Sequence, residues 1–482
     1  MRRLRRLVTL VAVVTLCFAA TLPVAAGSTT KSLSTNFTLV NLGTIGTSGT
    51  IEYYEPDGSA WGSGSEQFTI DDPGGQAIFR QYFSSGTPGN PGLTDGSGSV
   101  VVYADQPLGA VVQILARSQD PTCAGAYSGV SSGGSAFYVP LVARMLSTAS
   151  GMANSQIIAQ NTGVESVDVA FELVNQDGSA RHIYTTTVEV GAAATYDLAD
   201  ESSTEVPSNW YGSAVVSVVG TGEIAVVSNY FTGDSLQTFN AFAASEAGVK
   251  WHVPLFTSRL SNTLSTPLAV QNVSTTTIPV GGVTVTFYPD GGGSSWTRTN
   301  ADPIPPSGAY YWNPVVDMSL PSGFYGAAMV EAPVNVVSFV QMRTLATGEA
   351  AAYESILDGT GGNQVTVPLV AKRLSNGFAT AVTIQNLSES VATVDLQYIP
   401  GDAAYSQVNI NDVEIQPGRS LIQNHRVGVP ELPSGWYGSL VVTSNEAIHA
   451  FVQLTSMPSI NPGLASGDNF MAHTAFAQTI PD

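Results

Sequence analysis

The chemistry-bearing residues are few. Five histidines are present: His182, His252, His425, His449 and His473. A zinc site needs His, Cys or carboxylate ligands converging on one point. No two of these histidines have His-x-x-x-His spacing, and none shares a matching position with another in the repeat described below. They suggest no metal site and no cofactor. Gly129-Val130-Ser131-Ser132-Gly133 fits the G-x-S-x-G pattern of a nucleophile elbow, which needs a strand before it and a helix after it. More Ser and Gly follow here, so the segment reads as a linker and no catalytic residue is expected. Asp197, Asp200, Glu201 and Glu205 form one acidic cluster, and Asp71 and Asp72 another. Calcium takes several oxygen ligands. These clusters contain no Asp-x-Asp-x-Asp-Gly run and do not recur, so they read as solvated loops.

The elements that would position any site come from an internal repeat. Val139-Pro140-Leu141 recurs as Val253-Pro254-Leu255 and Val367-Pro368-Leu369, 114 residues apart each time. Gln160-Asn161 recurs as Gln271-Asn272 and Gln385-Asn386, with Val40-Asn41 as a fainter copy. Trp210-Tyr211-Gly212 recurs as Phe324-Tyr325-Gly326 and Trp436-Tyr437-Gly438, and Gly96-Ser97-Gly98 stands in their place near the start. Three markers in one order predict a leader at 1–26 and four modules at 27–138, 139–252, 253–366 and 367–482. Within a module, period-2 stretches such as Val167 to Val174 alternate with turns such as Asp177-Gly178, where Asp-Gly supplies the positive φ of a hairpin. No sustained 3.6-residue period appears. The fold class expected is all-β, with four tandem antiparallel β-sandwiches of about seven strands each.

Composition bounds the function. Charged residues are 11% of the chain, against about 25% in ordinary soluble domains, and the hydrophobic share is 43%. Such a chain has material for buried cores and is not disordered. The formal charge of −20 argues against a basic patch for nucleic acid or anionic lipid. Arg2, Arg3, Arg5 and Arg6 precede the apolar run Leu7 to Ala20, and Val24-Ala25-Ala26 fits a cleavage site, so the start reads as a signal peptide. No membrane span is expected after cleavage. Cys17 leaves with it, and the remaining Cys123 has no intrachain disulfide partner. Only three lysines are present, Lys31, Lys250 and Lys372, which weighs against self-formed isopeptide crosslinks.

The order Gln160-Asn161-Thr162-Gly163, Asp177-Gly178, Pro417-Gly418-Arg419-Ser420 and Pro433-Ser434-Gly435-Trp436-Tyr437 resembles bacterial adhesion-related modules of the CARDB type. Leu320-Pro321-Ser322-Gly323-Phe324-Tyr325 and its copy at Leu432 are also similar to the tyrosine corner of fibronectin type III domains. The resemblance implies immunoglobulin-like sandwiches on a secreted or surface protein. It also implies that Tyr211, Tyr325 and Tyr437 are inward structural residues. Trp210, Phe324 and Trp436 then point elsewhere, onto the neighbouring module or toward a sugar ring. Asn161, Asn272 and Asn386 read as structural, because an Asx side chain can cap its own turn by bonding the backbone two residues on.

The function expected is a secreted, non-catalytic structural or adhesion protein of the bacterial cell surface or matrix. Its partner is an unidentified protein or glycan surface. The alternative is a carbohydrate-binding protein using the repeated aromatics. The Val-Pro-Leu strand of the first module would fall in the leader, and Thr479-Ile480-Pro481 resembles the start of another copy. Module 1 would then lack a strand. Either Gly27 to Thr35 or a rearranged loop covers the gap, or the open edge accepts a strand from another copy of the chain or from a partner, giving self-assembly.

Overall fold

The computed structural model describes residues 12–14, 33–116, 122–178, 181–290, 292–317, 319–456, 459 and 467–480. The leader's cleavage site lies outside the described residues. Every named strand pair is antiparallel, and the helical content described is one short 3-10 turn, Ala244–Glu246. The fold is all-β.

The strands fall into four sets with one recurring order. In the second set, one sheet runs Arg181–Val188, Val167–Asn175, Trp210–Val219, Ala136–Arg144, Phe242–Ala243. The other runs Leu146–Thr148, Gly151–Asn161, Ile224–Thr232, Ser235–Asn240, with Ala193–Asp197 also paired to Gly151–Asn161. Val169, Phe171 and Leu173 face the core while Asp168 is exposed, the alternation of a half-buried strand. In the third and fourth sets single long strands, Phe324–Thr344 and Tyr437–Ser456, serve both sheets. The stretch around Glu331, Pro333 and Asn335 is exposed where the strand leaves one sheet for the other. A proline fits there because it has no ladder hydrogen bond to give. The second set breaks its strand instead at Gly220 and Gly222, with φ of 100° and 151°.

The Val-Pro-Leu marker is a bulge. Pairing shifts register between Val253 and Phe256, between Val367 and Val370, and opposite Val139–Val142 between Gly212 and Ala214. Proline lacks an N–H, so it occupies the unpaired place in a bulge without stranding a donor.

The four sets close into a ring. The last strand of each second sheet lies at the centre: Ala124–Ser128, Ser235–Asn240, Ala350–Glu354 and Phe470–Thr474. Each touches the next, and the fourth touches the first. The buried core therefore continues from set to set, with Val111, Leu115, Ala124 and Ala126 of the first set packed into the core of the fourth. The register of the fourth set also corrects the reading of the end of the chain. Phe476–Gln478 pairs with Gln364–Thr366, as Ile356–Leu357 pairs with Trp251–His252. Ile480 thus follows that strand, in the place of the connector after Leu357, and is not the start of a Val-Pro-Leu strand.

Candidate functional site: the hub and the seams between repeats

The four central strands end on four different residues, Ser128, Asn240, Glu354 and Thr474, and these form a closed circuit. Asn240 Nδ2 donates to the Ser128 carbonyl at 2.9 Å. Asn240 N donates to Glu354 Oε1 at 2.6 Å, and Thr474 Oγ1 donates to Glu354 Oε2 at 2.6 Å. Ser128 Oγ donates to the Thr474 carbonyl at 2.6 Å and completes the round. At the other end of the hub one carboxylate does the joining. Asp468 Oδ2 accepts from Leu236 N at 3.0 Å, and Oδ1 accepts from Ala350 N at 3.2 Å and Phe470 N at 3.1 Å. Asp468 N donates to the Thr122 carbonyl at 3.0 Å. All four repeats meet at this residue, which is buried. Burial pushes the carboxyl of Asp468 well above the usual range, and burial pushes Glu354 up as well.

The seams are built from the sequence markers. Gln160 Nε2 reaches the Val100 carbonyl of the preceding repeat at 3.5 Å, and Gln271 Nε2 reaches the Ala214 carbonyl at 3.2 Å. Ser99 Oγ donates to the Gly191 carbonyl of the next repeat, Ser213 Oγ to Ser307 at 2.5 Å, and Ser439 Oγ to Gly74. The last of these joins repeat 4 to repeat 1, beside a bond from Gln478 Nε2 to the Leu42 carbonyl at 3.1 Å. Repeat 3 has Ala327 where the serine would stand. Its seam with repeat 4 instead uses Arg419 Nη1 on the Pro289 carbonyl and Ser420 Oγ on the Pro254 carbonyl at 2.8 Å. The bulge carbonyl of Pro140 likewise accepts from Tyr311 OH at 2.6 Å.

The asparagines are buried turn caps. Oδ1 of Asn41, Asn161, Asn272 and Asn386 accepts from the backbone N–H two residues on, at 2.9 Å each time. Nδ2 of Asn386 donates to the carbonyls of Ser390 at 2.7 Å and Ile415 at 2.9 Å, and Asn161 and Asn272 do the same in their repeats.

The aromatic pairs are oriented opposite to the expectation from the tyrosine-corner resemblance. Trp210, Phe324 and Trp436 are buried, Trp436 completely. Trp210 Nε1 donates to Asn175 Oδ1, Phe324 packs edge-on to Phe287 with centroids 6.0 Å apart, and Trp436 packs edge-on to Tyr398 at 5.8 Å. Tyr211 is 41% exposed, and Tyr325 and Tyr437 are half-buried. Of two adjacent rings on opposite faces, the larger apolar one is better placed in the core, and the phenol keeps its hydroxyl near water. Tyr211 instead faces the seam, 6.0 Å from Tyr311 of the next repeat. The three buried rings therefore offer no platform to a sugar.

The remaining candidates are held in local contacts. His182 lies 3.1 Å from both Glu201 Oε2 and Glu205 Oε2, and Tyr196 OH donates to Glu201. Asp197 accepts from Gln156 Nε2 at 2.8 Å. His252 Nε2 meets Asp358 Oδ1 at 2.7 Å. Burial holds His425, His449 and His473 at about 4. The G-x-S-x-G segment connects Ala124–Ser128 to Ala136–Arg144, with no helix after it. Among the described residues no three His, Cys, Asp or Glu converge as metal ligands, and no helix is long and apolar enough to cross a membrane.

Sequence reasoning missed the cations beside the first marker. Arg144 donates to the carbonyls of Leu198, Glu201 and Val206, Arg259 to those of Pro314, Asp317 and Leu320, and Lys372 to that of Val429. Each pins the long loop ahead of the aromatic pair. The signal was present as Arg144 and Lys372 after Val-Pro-Leu.

No protein family matches the chain, and no curated protein is similar to it. A solved structure from Thermotoga maritima is 16% identical, with a TM-score of 0.19, and the match covers 24% of this chain and 96% of that one. The major pilin of Streptococcus pyogenes is 10% identical over 60% of this chain and 96% of the pilin, with a TM-score of 0.13. A tetra-tandem repeat from the extending region of a large adhesion protein is 13% identical over 96% of this chain and 98% of its own, with a TM-score of 0.10. These similarities are too distant to carry a function to this chain.

Proposed function

We propose that the chain is a non-catalytic structural or adhesion protein of the bacterial cell surface or extracellular matrix. In this reading the leader at 1–26 exports it, and the four strand sets are the immunoglobulin-like modules 27–138, 139–252, 253–366 and 367–482. The observation that carries the proposal is the hub. Asp468, Glu354 and Asn240, groups able to do chemistry in an open cleft, are used to hold four repeats together. Asp468 is buried, and both oxygens of Asp468 and of Glu354 accept hydrogen bonds from neighbouring repeats; carboxylates engaged in this way rigidify a structure rather than turn over a substrate. Closure also bears on assembly. Repeat 4 already bonds repeat 1 through Ser439 and Gln478, so the two ends of the row of repeats are joined within one chain. A head-to-tail interface that closes on itself makes a ring and not a fibre. The test is fractionation of cells making the native protein, with the intact mass measured. The expected result is recovery from the surface or medium with Gly27 as the first residue. Recovery from the cytosol refutes the proposal.

A further inference from the structure

One strand position is filled differently in repeat 1. In the other repeats the Val-Pro-Leu strand lies along the strand that follows the aromatic marker. Ala136–Arg144 pairs with Trp210–Val219, Gly248–Ser258 with Phe324–Thr344, and Gly362–Ala371 with Tyr437–Ser456. In repeat 1 the corresponding strand is Ser99–Ala104, and its partner is Ala12–Val14, inside the apolar run of the leader. The register is Ala12↔Val102, Val13↔Val101 and Val14↔Val100. Val100 stands 114 residues before Ala214, whose partner is Val139, so Val14 takes the place of the valine of Val-Pro-Leu. In the export reading the same residues belong to a signal, and in the structure they are a strand of the fold; cleavage after Ala26 would end the second role.

We propose that the leader plugs repeat 1 until it is removed, and that its removal opens Ser99–Ala104 as an acceptor for one extended, uncharged, Val/Ala-rich strand donated by another polypeptide. The processing step rests on the export reading above. The chemistry of the donor follows from the place it must fill. Ser99–Ala104 reads Ser-Val-Val-Val-Tyr-Ala, carries no charge, and buries Val100 and Val102 completely. The strand in the same place in repeat 2 presents the uncharged Ala136, Phe137, Tyr138 and Val139 to its partner. The chain's formal charge of −20 disfavours an acidic donor. A strand edge left bare presents a row of N–H and C=O groups, and an added strand satisfies them while its alternate side chains enter the core.

The test compares hydrogen exchange in the chain of residues 1–482 and in the chain of residues 27–482. The amides of Ala350–Glu354 in the hub report whether each is folded. The probe is a synthetic peptide of residues 8–16. In folded 27–482, those Val100–Val102 amides that face Ala12–Val14 should exchange about tenfold or more faster than in 1–482, because a bare edge opens locally, while amides bonded to Thr47–Tyr54 on the other side keep their protection. Saturating peptide should restore their protection, and the peptide carrying Val13→Asp should not. Equal protection in the two chains without peptide would overturn the proposal, since another segment then closes the edge. Failure of the peptide to bind a folded chain with an exposed edge would also overturn it. A native protein found to retain residues 1–26 overturns the export reading and the processing step, while restored protection by the peptide would still support the acceptor strand.

Discussion

Asp468 and Glu354 close the two ends of the hub, yet their amide replacements should behave in opposite ways. In Asp468→Asn, Oδ1 can still accept from Ala350 N and Phe470 N, but an NH2 then faces Leu236 N, which now donates to Oδ2 at 3.0 Å. Two donors meet and one buried N–H is stranded, at a cost of about 1–3 kcal/mol. In Glu354→Gln, Oε1 can keep the bond from Asn240 N, and the new NH2 can donate to Thr474 Oγ1, because a hydroxyl reverses its role. That change should stay within about 1 kcal/mol of the parent. The pH dependence has a defined sign. Burial raises the folded pKa of Asp468 above its unfolded value near 4, so the neutral acid is the favoured folded form. Its stabilising contribution is complete below the unfolded pKa and is lost as pH rises through the folded one. The gap between parent and Asp468→Asn should therefore be widest below about pH 4 and narrow as pH rises above it. Urea unfolding at a series of pH values measures it. A gap that widens with pH, or an Asp468→Asn chain as stable as the parent below that pH, would refute this account of the hub.

Three further outcomes are expected. Trp436→Ala should cost about 3–5 kcal/mol, because a completely buried indole leaves a large cavity, whereas Tyr211→Ala, 41% exposed, should cost far less; chemical unfolding ranks the two. Asn386→Ala strands the Ser388 N–H and two carbonyls and should cost about 2–4 kcal/mol; Asn386→Asp should do no better, since it sets a carboxylate against the Ser390 and Ile415 carbonyls, and melting of both variants checks this. His425, His449 and His473 are lowered to about 4 by burial, so their contribution is complete above pH 6.5 and is lost as pH falls toward 4, on the order of 3 kcal/mol each at the limit. Replacing all three by Gln should flatten the acid limb of the parent's stability profile.

Much of this molecule was legible without coordinates, and the reasons are local. The turn-capping asparagines could be identified because an Asx cap involves residues two apart in sequence, as from Asn386 to Ser388. The strands and the 114-residue spacing were legible because side-chain alternation and turn chemistry are written in consecutive residues. The orientation of the Trp-Tyr pairs was not. Period-2 alternation states that neighbours face opposite ways and leaves open which face is buried, and packing against Tyr398 and Phe287 decides it.

The hub shows the same division more sharply. Its four equivalent residues are Ser128, Asn240, Glu354 and Thr474, four different types, so comparing the repeats cannot reveal them. Asp468 precedes a strand that the fourth repeat displaces from the 114-residue spacing, as the register of Phe476–Gln478 shows. By itself the sequence determined the secondary structure, the repeat and the caps, because each depends on neighbours along the chain. Only the tertiary structure decided that the fourth repeat returns to the first and that Ala12–Val14 lies beside Ser99–Ala104. Both are pairings between segments far apart in sequence, fixed by which surfaces can be buried together once every repeat has folded.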